Sequence, residues 1–262
     1  MSVTPLHDPR TRGFVLLPRL FDATETAALG EAAETVLARV TERALHGRAE
    51  VTVWPDGHRL ERVDGATLHW EPDTEAPVVR SLSPVTQLSA VLDALWTEPR
   101  LTAPVRRLLG HDRLGPFTSK LNFKRAGVGS AFPWHQDFPY WYCCAGPAAR
   151  DVVTAMIYLD EVTVANGALS LVPGSHRAGP APRDRAEPTG LLVDTARTGV
   201  SGAVTVEAPA GSVLVFPGLI VHRSAPNSSG TDRRSLLLCF QPAGRPTLAE
   251  LPYRPERLAD LP

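Results

Sequence analysis

FPWHQDFPYW, residues Phe132 to Trp141, sets two metal-capable side chains, His135 and Asp137, two positions apart in an aromatic-rich run. In a β-strand, residues two apart project from the same face, so the pair would be delivered together without a helix. A third ligand has to come from elsewhere. His222 is the best candidate, because it follows the strand-turn run GSVLVFPGLIV and precedes RSAPN, near a strand end. Two imidazoles and one carboxylate on one side of a metal leave up to three positions open. That set favours non-haem iron(II), although zinc takes the same donors. An isolated His-x-Asp triplet arises often by chance, so the surrounding sequence has to decide.

Working outward, the chain from Leu114 onward reads as β-structure. Phe117 to Lys124 alternates, Ala131 to Phe138 is aromatic-rich, and Asp151 to Leu159 is apolar on both faces. Leu169 to Val172, Val204 to Glu207, Ser212 to Phe216 and Ser235 to Gln241 add short strands. Turn signals at Asn166-Gly167, Pro173-Gly174 and Ala210-Gly211 separate them. The pattern suggests a sandwich or barrel such as a double-sheet jelly roll.

Before it, Gly13 to Phe21 reads as a buried strand leading into a helix capped by Asp22 or Thr24. Leu29, Ala33, Val36, Leu37 and Val40 fall at helical spacing, and Gly47 is a stop. Trp54-Pro55-Asp56-Gly57 looks like a turn between short strands, and Glu71 to Pro77 looks like a loop. A second helix is predicted through Leu88, Val91, Leu92, Leu95 and Trp96, and a shorter one from Leu101 to Leu109. Arg177 to Gly202 has little strand pattern and reads as disorder or a lid over a site. No repeat or linker divides the chain. We read one domain, with N-terminal helical support over about residues 13–112 and a core over about 113–245.

A net charge of −1 gives no footprint for nucleic acid or an anionic membrane. No apolar run reaches the roughly 18 to 20 residues that span a bilayer, and Met1 to Arg12 lacks the apolar core of a signal peptide. Three cysteines, Cys143, Cys144 and Cys239, form no spaced framework and suggest reduced thiols in the cytoplasm. Adjacent Cys143 and Cys144 are strained for a disulfide and read as ordinary thiols near a pocket rim. His176 reads as a turn residue. His7, His46, His58, His69 and His111 have no partner motif and read as surface or structural residues, and Trp134 as a core aromatic.

Arg233 stands at the head of the apolar strand SLLLCFQ, after His222. A guanidinium at the mouth of an apolar cavity suits bidentate capture of a carboxylate. Its neighbour Arg234 must face the other way, so at most one of the two points inward; Arg233 is preferred.

His135-x-Asp137, Asn166-Gly167-Ala168-Leu169 with Pro173-Gly174-Ser175-His176, and His222-x-Ser224-x-Pro226-Asn227 with Arg233 resemble the phytanoyl-CoA dioxygenase family. The entry run GFVLLPRLFDATETAAL resembles that family's N-terminal strand and helix, so the likeness extends from about Gly13 to Gln241. The resemblance implies a mainly β fold with flanking helices around a double-stranded β-helix, the cupin-like jelly roll. It implies Fe(II) held by His135, Asp137 and His222, with 2-oxoglutarate and O2 as cosubstrates, and Arg233 and Ser224 on the distal carboxylate. Related ectoine hydroxylases carry a basic-x-Asn-aromatic strand. Here it reads Lys120-Leu121-Asn122-Phe123, which makes Asn122 a 2-oxoglutarate contact and places Thr118, Phe138 and Trp141 on the substrate side. The implied reaction is hydroxylation of a small molecule in specialised metabolism, with succinate and CO2 released. Family halogenases have a small residue where this chain has Asp137, which argues against halogenation. The competing reading is a cupin-like isomerase or ligand-binding module with the same three ligands, which would have no use for Arg233, Ser224 and Asn122 together.

Overall fold

Capping and apolar spacing fix the first elements. In the computed structural model, which describes residues 9–47, 49–72 and 74–262, helix α1 (Pro9–Arg12) leads into strand β1 (Val15–Leu17) and the long helix α2 (Ala23–His46). The Asp22 carboxylate accepts from the Glu25 backbone N–H at 2.8 Å, and the Glu25 carboxylate accepts from the Asp22 N–H at 2.9 Å. Such reciprocal capping stabilises a helix start by about 1 kcal/mol. Leu29, Ala33, Val36, Leu37 and Val40 are all buried, and Gly47 ends the helix. His7 lies outside the described residues.

The following segment differs from the helical support read in the sequence. It supplies strands β2 (Glu50–Val53), β3 (Arg59–Val63), β4 (Ala66–Trp70) and β5 (Val79–Ser83), all antiparallel neighbours. The turn between β3 and β4 is Asp64-Gly65, with both residues at positive φ (53° and 75°). That geometry matches the twist of a two-residue hairpin. The predicted second helix is also broken: α3 (Ala90–Asp93) is one short turn between 3-10 turns at Thr86–Leu88 and Ala94–Thr97. Threefold spacing lines up Leu92 and Leu95, which are buried, and turns Val91 out to 50% exposure. Helix α4 (Pro99–Leu109) follows as expected, started by Pro99 and ended by left-handed Gly110.

The jelly roll is then laid down strand by strand: β6 (Leu114–Lys124), β7 (Phe132–His135), helix α5 (Phe138–Ala145), β8 (Val153–Tyr158), β9 (Leu169–Leu171), β10 (Val204–Val206), β11 (Val213–Pro217), β12 (His222–Ser224) and β13 (Arg233–Pro242). The large sheet runs β1-β11-β8-β13-β6-β5-β4-β3-β2 and the small one β10-β9-β12-β7. Apart from β9 and β10, which are neighbours in the small sheet, successive core strands fall into opposite sheets, the arrangement of a double-stranded β-helix. On the outer face of the large sheet, Leu121, Phe123, Ile157, Leu236 and Leu238 pack with Ala33, Val36 and Val40 of α2. On the inner face, Met156, Leu214 and Phe216 meet Leu169, Leu171 and Val206 of the small sheet. The stretch 177–202 is not disordered. Its residues 192–193 lie along the edge of β7, where Leu192 bridges to His135 and the Val193 N–H donates to the Trp134 carbonyl at 2.9 Å.

Candidate metal and cosubstrate site

His135 and His222 are direct cross-strand partners on β7 and β12, which brings their ring centroids to 4.2 Å. Each ring is held by the carbonyl two residues before it: Nδ1 of His135 lies 2.7 Å from the Pro133 oxygen and Nδ1 of His222 lies 3.0 Å from the Ile220 oxygen. A carbonyl can only accept, so Nδ1 carries a proton in both rings and Nε2 is the nitrogen left to face a metal.

Asp137 arrives by a different route from the one the spacing suggested. Strand β7 stops at His135, and Asp137 sits in a helical conformation (φ −68°, ψ −26°) as the residue that opens α5. A turn, not the pleat, aims it at the histidines. Gln136 fixes that turn: its buried amide donates to the Leu219 and Gly179 carbonyls at 2.6 and 3.1 Å and accepts from the Ala181 N–H at 2.8 Å. The ligand atoms of His135, Asp137 and His222 lie within 4.8 Å of one another, and His135 Nε2 is 3.9 Å from the Asp137 carboxylate. Burial, with His222 alongside, holds the His135 pKa well below its ordinary value, and burial raises that of Asp137. Two imidazoles and one carboxylate crowded in this way fit a divalent metal.

Arg233 faces inward at 1% exposure. It donates to the Gly167 carbonyl at 2.7 Å and to the Ser235 hydroxyl at 3.2 Å, while its Nε has no partner. It forms no ion pair with any described residue, whereas Arg234 grips Asp160 (2.7 Å) and Glu34 (3.2 Å) on the opposite face. Gly167 owes its place to the Asn166-Gly167 turn: at φ +88°, an added Cβ would meet the Ala225 carbonyl at 2.6 Å.

Around Arg233 lies a polar rung across the inner face. His69 pairs with Ser81, Ser81 with Asn122, Asn122 with Ser235, and Ser235 with Tyr158. The Asn122 Oδ1 and the Tyr158 hydroxyl are buried without partners, and burial pushes the Tyr158 pKa up to about 12. Lys124, cross-strand from Arg233, is also buried. Its ammonium donates to the Ser130 and Ala225 carbonyls at 2.5 and 2.7 Å, and burial, then Arg233, lowers its pKa to about 7. Lys120, two residues before Asn122, faces Asp137 and lies over the Phe132 ring at 5.7 Å. A sheet face with buried cations that lack carboxylates suits an anionic guest.

Of the other expected residues, Ser224 is buried two positions after His222 on β12, and Thr118 is half-buried two positions before Lys120 on β6. Phe138 and Trp141 sit in an apolar cluster with Phe117, Val152 and Cys239, with Trp141 edge-on to Phe117 at 5.6 Å. They form wall packing and are not presented to solvent. Cys143 and Cys144 are buried free thiols on α5, and Arg257 caps their carbonyls. His176 packs against Gly13, away from the three ligands. Sequence reasoning missed Tyr158, Lys124, Gln136 and His69. Tyr158 was visible as a polar end to the mostly apolar strand β8, and Lys124 as the cation that ends β6.

A double-stranded β-helix carrying this donor set, with the buried, carboxylate-free guanidinium of Arg233 on its inner face, is the framework of an iron(II)- and 2-oxoglutarate-dependent dioxygenase. The family model for phytanoyl-CoA dioxygenase matches residues 10–235, and the chain belongs to that family. It is 32% identical over 223 residues to the L-proline trans-4-hydroxylase of Streptomyces griseoviridis, covering 71% of this chain and 78% of that one. It is also 32% identical over 267 residues to the ectoine dioxygenase of Bordetella parapertussis, covering 94% and 78%. Among solved structures, EctD from S. alaskensis with bound Fe superposes with a TM-score of 0.70 at 25% identity, covering 91% of this chain and 79% of that one. The structure of EctD with 2-oxoglutarate and 5-hydroxyectoine matches at 0.69 and 24%, covering 89% and 73%. No helix among the described residues is long and apolar enough to cross a membrane.

Proposed function

We propose that this dioxygenase hydroxylates an unactivated C–H bond of a small molecule in specialised metabolism, with His135, Asp137 and His222 holding iron(II) and Arg233 anchoring 2-oxoglutarate. The observation that carries the reading is Arg233, a guanidinium at 1% exposure with no carboxylate partner, on the sheet face that looks toward the three ligands. A cupin-like isomerase or binding module has no use for such a residue, because an unpaired buried cation only costs stability.

Iron and 2-oxoglutarate, when bound, supply the oxidising chemistry, with succinate and CO2 as co-products. The protein's part is orientation. Pro133 and Ile220 set the imidazole tautomers, Gln136 sets the turn that aims Asp137, and Gly167 and Ser235 hold the guanidinium plane so that its remaining donors face inward. The Tyr158 and Ser224 hydroxyls and the Asn122 amide N–H offer further hydrogen bonds to a dicarboxylate. Asp137 fills the position that a halide would need, which supports hydroxylation over halogenation. The relatives named for L-proline and ectoine support a small substrate.

The test is anaerobic. Addition of iron(II) and 2-oxoglutarate should produce the weak visible charge-transfer band of the chelate, and 2-oxoglutarate should raise the unfolding temperature of the iron-loaded protein. Absence of both effects would overturn the reading.

A further inference from the structure

The polar rung beneath the site does not stop at Asn122. Two strands further toward the sheet edge it ends at His69 on β4, reached through Ser81. Two strand spacings are about 10 Å, which sets His69 apart from Asn122 along the same inner face. The Nε2 of His69 is buried and has no hydrogen-bond partner. Burial, then Lys120 and Arg80, press its pKa down to about 2, so the ring is neutral under all ordinary conditions.

Its surroundings hold the ring in place. His58, from the turn between β2 and β3, packs edge-on against it, with centroids 4.9 Å apart and planes at 87°. The His58 ring in turn lies 2.9 Å from the Asp56 carboxylate. The same turn is seated by Trp54, whose ring is 5.9 Å from Tyr140 on α5 and 6.0 Å from Tyr253 near the C-terminus. The β2–β3 turn is thereby tied to the helix that Asp137 opens.

Charge selects the guest. Iron(II), Asp137, Arg233 and doubly charged 2-oxoglutarate together leave no net charge. Arg80 is offset by Glu71, 3.4 Å away. Lys120 and Lys124 remain against the single Asp56 carboxylate that faces His58, with Lys120 close to His69 and to Asp137. A cationic group would be repelled from this corner, while an anionic oxygen would be attracted and could accept from His69 Nε2–H.

We propose that His69 is a specificity-determining contact of the dioxygenase, donating a hydrogen bond to a carboxylate of the substrate. The proposal rests on the iron and 2-oxoglutarate reading given above.

The experiment uses the full chain loaded anaerobically with iron(II) and 2-oxoglutarate. It is titrated with three small carboxylates (L-proline, L-pipecolate and cyclohexanecarboxylate) and with their carboxamides, following displacement of the visible band. At least one carboxylate should perturb the band with an affinity tenfold or more above that of its amide. His69→Leu should weaken that carboxylate about tenfold, while His69→Gln, which keeps a donor, should stay within threefold of wild type. Both variants should bind 2-oxoglutarate within twofold of wild type. The proposal is overturned if no carboxylate moves the band, if the amides bind as well, if His69→Leu binds like wild type, or if 2-oxoglutarate affinity falls in parallel. A band that forms but does not respond removes this proposal alone. A band that never forms in the wild type, with no rise in unfolding temperature on adding 2-oxoglutarate, removes the oxygenase reading and this proposal with it.

Discussion

On β6, β8 and β13, neighbouring residues look into opposite environments. Leu121, Phe123, Ile157, Leu236 and Leu238 face outward into the apolar layer beneath α2, where burial itself is favourable. The residues between them, Asn122, Tyr158, Arg233 and Ser235, face inward together with Lys124, and several keep buried polar atoms without partners. Folding alone does not offset the desolvation of those groups. One face of the sheet therefore holds the fold together, and the other is completed only by what binds to it. A variant on either face should move stability or ligand affinity, but not both to the same degree.

Asp137→Ala should give the largest effect. Removing the carboxylate from a three-ligand set should lower succinate formation by about 10³-fold or more, equivalent to about 4 kcal/mol. The apo protein should still fold, because burial disfavours the Asp137 charge and no hydrogen bond of its side chain caps α5. Wild-type turnover in this variant would exclude Asp137 from the site.

The next test sets one face directly against the other. Leu236→Ala should cost about 2–5 kcal/mol of unfolding free energy through the cavity it leaves, with the 2-oxoglutarate KM of the folded fraction unchanged. Arg233→Leu should raise that KM about 100-fold, roughly 2.7 kcal/mol. Its apo stability should be equal to or above wild type, because an unpaired buried charge is replaced by an apolar group. If Arg233→Leu unfolded the protein while leaving 2-oxoglutarate binding intact, the inner face would be structural like the outer one.

A smaller effect concerns pH. His69 has a folded pKa of about 2 against 6.5 for an ordinary imidazole. Below pH 6.5 the unfolded chain takes up a proton that the folded protein refuses. The stability associated with the neutral ring is thus fully present above pH 6.5 and is lost as pH falls toward 2, with a limiting slope of about 1.4 kcal/mol per pH unit. His69→Gln should flatten the stability profile between pH 6.5 and 5, as followed by urea unfolding. Superimposable profiles would mean that His69 is as open to protons in the fold as in water.

How much of this contrast the sequence carried depends on the range of the interaction. The jelly-roll strands, the α2 cap at Asp22 and the split between Arg233 and Arg234 followed from alternation and local capping, which are properties of neighbours in the chain. The strands β2 to β5 were read less well, because their apolar positions are few and β2 is exposed along its whole length. The turn at Asp137 was hidden for another reason. It is set by Gln136 reaching carbonyls at 179 and 219, far away in sequence. The unpaired state of Arg233, and the union of His58 with His69, likewise depend on contacts that no local pattern encodes.

Arg234→Ala should have the smallest effect, and it tests the contrast most closely because Arg234 differs from Arg233 by a single position. Its guanidinium holds Asp160 through two donors, at 2.9 and 2.7 Å, and reaches Glu34 at 3.2 Å. Those carboxylates raise its pKa, whereas burial lowers that of Arg233. The cation is already paired and partly solvated, so its loss should cost no more than about 1 kcal/mol. Nothing in that pair reaches the inner face, and the 2-oxoglutarate KM should remain within twofold of wild type. A tenfold rise in KM for Arg234→Ala, with Arg233→Leu unaffected, would reverse the assignment of faces. It would also transfer the cosubstrate anchor to the helix side of the sheet, where Glu34 and Asp160 would repel a dicarboxylate.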